Sequence, residues 1–518
     1  MAPTPSGPNP LPTGSNLAAE VDSRASFVTF TSDECRLVAV TAHPGPARSF
    51  MVTDAAGHHH HEIRDRAYAA IKNSGLSLPT GGARIRMSST AAGLTGTAAD
   101  LAVAAAALGA AGYLPDGSML RVALIGELGL DGTVRPVRNV AAMVAAAVAH
   151  NRRTVIVAAE NALDAATVPG AHIFTVGSLS ELVSWARITT LPGLQEPEFE
   201  HNLTHRVGEV PADVAHALFA VEVAAAGGHH LYLAGSDDTP VRLLASMLAA
   251  ILPDLEEDAG RESADLHAAA GIAVPESSII RIPPMQAPHH SATMTDIFGS
   301  RRQPGAISLA HHGVLLLADA AAFVPVIHRS LRQVLDSGIV RLGGPHGSIS
   351  YPARTQLAAI SRPCTCTCDD EVHRRQQTER LHLLQPVVDV RATVSSTALA
   401  GVVLRLVHAA TRVAAARRKA TERWVRHGWR TNAQVELYRT HLAPPGLDPS
   451  ATASLDALRQ DRTISNSAYA RSLSLAWTVS DLHGADMPNA EDVTAATALY
   501  LGAEAPSELV HSRSEEKP

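Results

Sequence analysis

Short apolar runs alternating with alanine-rich stretches restrict this chain more than any other feature of its sequence. The stretches Ala102–Ala111 and Ala141–Ala149 predict helices, because alanine is the best intrinsic helix former. Helices are expected over His61–Asn73, Ala98–Gly109, Val140–His150 and Ser178–Arg187. Strands are expected over Ser26–Phe30, Arg36–Val40, Ser49–Thr53, Arg84–Ser88, Arg121–Gly126 and Thr154–Ala158. Strands that alternate with helices predict an α/β fold. Aromatic residues make up only 4% of the chain against 46% hydrophobic residues, so a large core is available but small side chains must fill much of it.

A length of 518 residues is enough for about three domains. Residues 1–20 are rich in Pro, Gly, Ser and Thr and lack the charged start and apolar middle of a signal peptide, so they read as a disordered lead on a cytoplasmic protein. No apolar run approaches the roughly 18 residues of a membrane span. The first α/β block is expected over 21–190, followed by a linker over 191–207 that contains Pro192 and Pro197. A second α/β block is expected over 208–395. Its runs Leu231–Ala234 and Val314–Ala318 read as buried parallel strands. Residues 396–505 read as helices only, and 506–518 as a charged tail. The net charge of -7 disfavours a nucleic-acid binder that uses its whole surface, and leaves room for a local basic groove.

Several stretches, in order along the chain, carry a family resemblance. In the first block they are Asp65-Arg-Ala-Tyr-Ala-Ala-Ile-Lys-Asn-Ser-Gly-Leu and Gly126-Glu-Leu-Gly-Leu-Asp-Gly-Thr-Val-Arg-Pro-Val. In the second they are Glu222-Val-Ala-Ala-Ala-Gly-Gly-His-His, Ala287-Pro-His-His-Ser-Ala, Arg302-Gln-Pro-Gly-Ala-Ile-Ser-Leu-Ala-His-His-Gly-Val-Leu and Leu331-Arg-Gln-Val-Leu-Asp-Ser-Gly. Near the end come Gly428-Trp-Arg-Thr-Asn-Ala-Gln and Leu475-Ala-Trp-Thr-Val-Ser-Asp-Leu. Together they resemble the magnesium-chelatase-like (ComM/YifB-type) AAA+ family. The resemblance implies an N-terminal Lon-protease S5-like domain, an AAA+ three-layer α/β/α core and a C-terminal helical lid. It also implies ATP and Mg2+ as ligands and hexameric ring ATPases as relatives, some of them linked to DNA branch migration in natural transformation.

The residues that would carry ATP chemistry are substituted. A phosphate loop reads Gly-x-x-x-x-Gly-Lys-Ser/Thr, with backbone amides and the lysine cradling phosphate. Here the matching stretch is Gly235, Ser236, Asp237, Asp238, Thr239, Pro240, Val241 and Arg242. Proline replaces the second glycine and removes an amide donor, valine stands for the lysine, and arginine for the hydroxyl. Two readings stand open, a strand-to-helix turn without nucleotide and an unusual nucleotide site that uses Arg242. The apolar strand that should end in Asp-Glu ends in Ala318 and Asp319, so one carboxylate is missing in either register. The sensor asparagine falls on Ser361 or Arg362, and the run Leu383–Asp389 holds no arginine finger. In the lid, Arg471 matches one family arginine and Ser474 falls on a second. The resemblance therefore points to a non-hydrolysing paralogue serving as scaffold or regulatory subunit, as a homo-oligomer or beside AAA+ relatives. An ATP-binding ComM-type motor and a DNA-binding module are the alternatives.

Other features have two readings each. The Lon-type Ser-Lys dyad falls on Ala98 and Ala141, so no protease nucleophile is present. Thr95 and Thr97 read as helix-capping hydroxyls. The run His58–His61 is a solvated loop or an adventitious metal binder. His289, His290, His311 and His312 read as architectural. Cys35 reads as a small buried residue. Cys364, Cys366 and Cys368 alternate, a spacing unsuited to disulfides, and read as a reduced, metal-free loop or, with His373, as a candidate Zn2+ site. Arg417 and Arg418 lie in a basic segment with Trp424 and Trp429, a candidate DNA contact or a solvated helix face.

Overall fold

Val38, Val40 and Ala42 are buried while Ala39 is exposed and Thr41 and His43 are only half-buried, the period of two that marks a half-buried strand. In the computed structural model these residues lie on β2 (Cys35–Pro44), which pairs antiparallel with β1 (Ser23–Phe30). The structure describes residues 23–30, 35–45, 49–78, 82–88, 98–115, 117–189, 212–235, 238–274, 279–344, 347–361, 380, 382–395, 402–435 and 449–502. β3 (Phe50–Thr53) and β4 (Ala83–Met87) complete a four-stranded sheet of order β1-β2-β4-β3. On its inner side lie α1 (His61–Asn73) and α2 (Asp100–Ala110). α1 buries Ile63, Ala67, Ala70 and Ile71, a stripe at helical spacing. The alanines of α2 are buried except Ala110 at its end, and the helix touches α1, β1, β2, β4 and β5.

β5 (Val122–Ile125), β8 (Thr154–Val157) and β9 (His172–Thr175) form a parallel sheet, with the short hairpin β6 (Glu127–Leu128) and β7 (Val134–Arg135) beside it. α3 (Val140–Ala149) and α4 (Ala162–Ala165) follow β7 and β8. The Ser26 hydroxyl donates to the Val122 carbonyl at 2.7 Å and ties this sheet to the first. α5 (Leu179–Thr189) then packs mainly against the C-terminal helix Val402–Trp424 and also touches Asp238–Ala250 of the second block.

That block centres on five parallel strands: β10 (Leu231–Gly235), β11 (Met285–Gln286), β12 (Val314–Leu317), β15 (Gln356–Ser361) and β16 (Val390–Val394). Their order is β11-β12-β15-β10-β16, with β10 fully flanked. β12 and β15 are buried throughout, as strands covered on both faces must be. The helices are α6 (Ala212–Gly227), α7 (Asp238–Ala250), α8 (Glu257–Ala269), α9 (Met294–Phe298), α10 (Ala306–Leu309) and α11 (Pro325–Ser337). β13 (Ile339–Gly344) and β14 (Gly347–Pro352) form a hairpin. This is a mixed α/β core with the layering of an AAA+ domain. The C-terminal region is helical: α12 (Val402–Trp424), α13 (Pro449–Gln460), α14 (Asn466–Leu482) and α15 (Ala490–Leu501).

The blocks share one apolar core that runs from Phe27 through Trp185 and Leu248 to Leu499. Arg187 of α5 pairs with Asp254, which follows α7, and donates to the Tyr113 carbonyl at 3.2 Å. Arg281 lies 4.9 Å over the Tyr113 ring. No helix among the described residues is long and apolar enough to cross a membrane.

Candidate functional site

Gly235 ends the flanked strand β10, level with Val394 on β16. The carboxyl end of such a sheet is where open α/β folds place their ligands. Ser236 and Asp237 lie outside the described residues, and Asp238, Thr239 and Pro240 form the first turn of α7. Proline is tolerated in a first turn. Val241, at the position of the phosphate-binding lysine, is 2% exposed and belongs to the main core. A Cβ added to Gly235 would stand 2.1 Å from Val241 Cγ2 and 2.9 Å from the Val394 carbonyl oxygen. The glycine is therefore required by the valine packed on it, without any appeal to phosphate. Arg242 is exposed on α7, and its carbonyl accepts the Ser246 hydroxyl at 2.9 Å.

The second half of the site shares this edge. Ala318 and Asp319 follow β12 and are half-buried. Asp319 adopts a left-handed backbone conformation, φ 55°, and its carbonyl accepts the Ala322 amide at 2.8 Å. β15 separates β12 from β10, so Asp319 stands about two strand spacings, ~9.6 Å, to the side of the Gly235 turn. Ser361 ends β15 at the same edge, nearly buried and hydrogen-bonded to Tyr232, whose hydroxyl is pushed up by burial. Arg362 lies outside the described residues.

Arg471 is elsewhere. Its guanidinium pairs with Asp389 at 3.0 Å, and Asp389 immediately precedes β16, at the amino end of the strand whose carboxyl end adjoins Gly235. Five residues of strand put the two about 16 Å apart. Burial would raise the Asp389 carboxyl, but His229, at 3.6 Å, and Arg471 hold it at about 2. His229 also bonds Thr478 of α14 at 2.9 Å. Arg391 on β16 donates to the Tyr500, Gln385 and Val388 carbonyls and lies 5.1 Å over the Tyr500 ring. Both arginines bind the C-terminal helices to the core instead of facing the phosphate turn.

The basic segment divides in the same way. Arg417 donates from Nε to the Ala225 carbonyl at 2.8 Å, and burial pushes its pKa down to about 10. Ala225 is in the last turn of α6, where carbonyls lack partners within the helix, so Arg417 caps that helix. Arg412 makes a two-pronged pair with Glu222 of α6 at 2.6 and 2.8 Å. Arg418 is exposed. Trp424 is 6% exposed, and its indole donates to Asn432 at 2.8 Å.

Cys364, Cys366, Cys368 and His373 lie outside the described residues, as do Thr95 and Thr97; Cys35 is half-buried. Ala98 is 4% exposed and Ala141 half-buried. Sequence reasoning missed a cluster in which His311 and His312 both reach Glu262 Oε2, at 3.1 and 2.7 Å. The Arg354 amide donates to His311 Nδ1 at 2.9 Å, so the proton of neutral His311 sits on Nε2. That nitrogen then has no lone pair to give a metal, unlike ligands that donate from their second nitrogen. The cluster is a hydrogen-bonded clasp. Burial, aided by His312, lowers His311 to about 4. It also missed Asp54, whose buried carboxylate accepts the Ala56 and His58 amides at 2.9 Å each and the His58 ring at 3.2 Å. None of these pairings leaves a linear signal.

Three family models match the chain in sequence order. They describe subunit ChlI of Mg-chelatase over residues 38–161, magnesium chelatase subunit ChlI over 210–398, and its C-terminal part over 407–499. An uncharacterized protein of Mycobacterium tuberculosis is 35% identical over 465 residues, covering 85% of this chain and 90% of its own length. The uncharacterized protein YifB of Escherichia coli is 30% identical over 312 residues, covering 58% of this chain and 60% of its own. Competence protein ComM of Haemophilus influenzae is 27% identical over 328 residues, covering 62% and 64%.

Proposed function

The chain belongs to the magnesium-chelatase-like family of YifB and ComM, and from that premise we propose that it is a non-hydrolysing member, a cytoplasmic scaffold or regulatory subunit. The observation that carries this reading is Val241, buried against Gly235 where a lysine would reach phosphate. Filling that space with a valine leaves the turn one cation short. Ala318 leaves β12, two strands away, one carboxylate short of the pair that would hold Mg2+ and polarise water. The fold does not depend on that chemistry, because apolar burial holds the strands and helices. In this reading residues 21–190 form the S5-like domain and the C-terminal helices the lid, and the protein assembles with itself or with hydrolysing relatives.

Titration of purified protein with Mg-ATP, followed by calorimetry and phosphate release, tests the proposal. No turnover and no binding at millimolar nucleotide are expected. Magnesium-dependent turnover on the order of one per second would instead establish a ComM-type motor with substituted residues.

A further inference from the structure

The N-terminal sheet carries a second cleft, unrelated to the phosphate turn. It has a volume of about 540 Å³ and is lined by His43, Thr53, Asp54, the loop Ala55–Gly57, Arg84 and Arg86. Its floor is the outer face of the sheet. On β4 Ala83, Ile85 and Met87 point into the core, while Arg84 and Arg86 are exposed on the other side. Two residues along one strand place them about 6.6 Å apart. The register sets Thr41 and Thr53 beside Arg86, and His43 and Met51 beside Arg84. The wall is the loop after β3, held in place by Asp54.

The electrostatics of this cleft are one-sided. Arg66, Arg412, Arg423 and Arg471 are each paired with a carboxylate, but neither Arg84 nor Arg86 is paired with one among the described residues. The one acid in the lining, Asp54, is 1% exposed and turns its oxygens to the loop amides and His58. It stabilises the wall without neutralising the floor. Two guanidinium forks, each with five N–H donors, offer more than a carboxylate's two oxygens can use, and match an anion with three or more. The volume lies in the range of small-molecule sites and exceeds what a lone inorganic ion would fill.

We propose that this cleft binds the phosphoryl group of a phosphate ester, with Arg84 and Arg86 as its clamp and the Asp54-held loop beside the esterified group. A free phosphorylated small molecule and the backbone of a nucleic-acid strand present this same chemistry. The full-length protein is titrated with thymidine 5′-monophosphate and with a labelled single-stranded oligothymidylate, in parallel with the Arg84→Glu/Arg86→Glu variant. Both arginines are exposed, so the variant should keep its thermal midpoint, which is checked alongside. At least a tenfold loss of affinity for one probe is expected. If that probe is the oligonucleotide, the salt slope should fall by about 0.7, the value for the one single-strand phosphate that the two arginines clamp, and the source is a nucleic acid. Loss for the monophosphate alone assigns a small ester. Binding of both probes undiminished in the variant, or of neither by the native protein, overturns the proposal.

Discussion

Val241 fills the space that a side chain on Gly235 would need, with Cγ2 only 2.1 Å from the position of an added Cβ. Gly235→Ala should therefore destabilise the protein by about 1–3 kcal/mol, the usual cost of overpacking a core. Combining it with Val241→Ala should cost less than the sum of the two single changes, because the smaller residue vacates the contested volume. Urea unfolding of the four-member cycle measures this. A neutral Gly235→Ala would mean that the valine is not packed as described.

Arg417 and Arg418 are adjacent in sequence and should behave differently. Arg417→Ala removes the cap on the Ala225 carbonyl and should cost about 1–3 kcal/mol, the range for losing a charged partner of a buried group. Arg418→Ala, at an exposed position, should stay within about 0.5 kcal/mol. Equal effects in thermal melts would contradict the capping role.

Acid should weaken the fold in two stages. His311 titrates at about 4 in the folded chain against an ordinary 6.5. Its contribution is complete above 6.5 and is lost as the pH falls toward about 4. Asp389 titrates at about 2 against 3.8, so its contribution is complete above 3.8 and fades only as the pH falls toward about 2. At about 1.36 kcal/mol per pKa unit, the stages are worth on the order of 3 and 2 kcal/mol. His311→Asn keeps an acceptor for the Arg354 amide and should flatten the stability curve between pH 6.5 and 4. An unchanged slope in that window would rule out His311 as its source.

The sequence made some elements plain and others invisible for identifiable reasons. The helix His61–Asn73 and the strands at Leu231 and Val314 were legible because bulky apolar residues recur at the right period or in an unbroken run. Gln356–Ser361 and Val390–Val394 are equally central to the sheet, yet Ala, Ser, Thr and Arg dilute their apolar character. At the phosphate turn the substitution by Val241 could be read directly, whereas its contact with Gly235 could not. Arg471 matched a family position, but its partner Asp389 is 82 residues away, and such separations leave no trace in local spacing. Helical periodicity alone also could not say that the face of α12 bearing Arg417 meets the end of α6.

The burial of Val241 also bears on whether a cation could stand at its position. A lysine there would push an ammonium group into the apolar interior and give up the contact with Gly235, with Pro240 and Ala318 unchanged. Such a substitution at Val241 would thus trade buried apolar contact for a charge, so the shape of this turn is set by how it packs on Gly235.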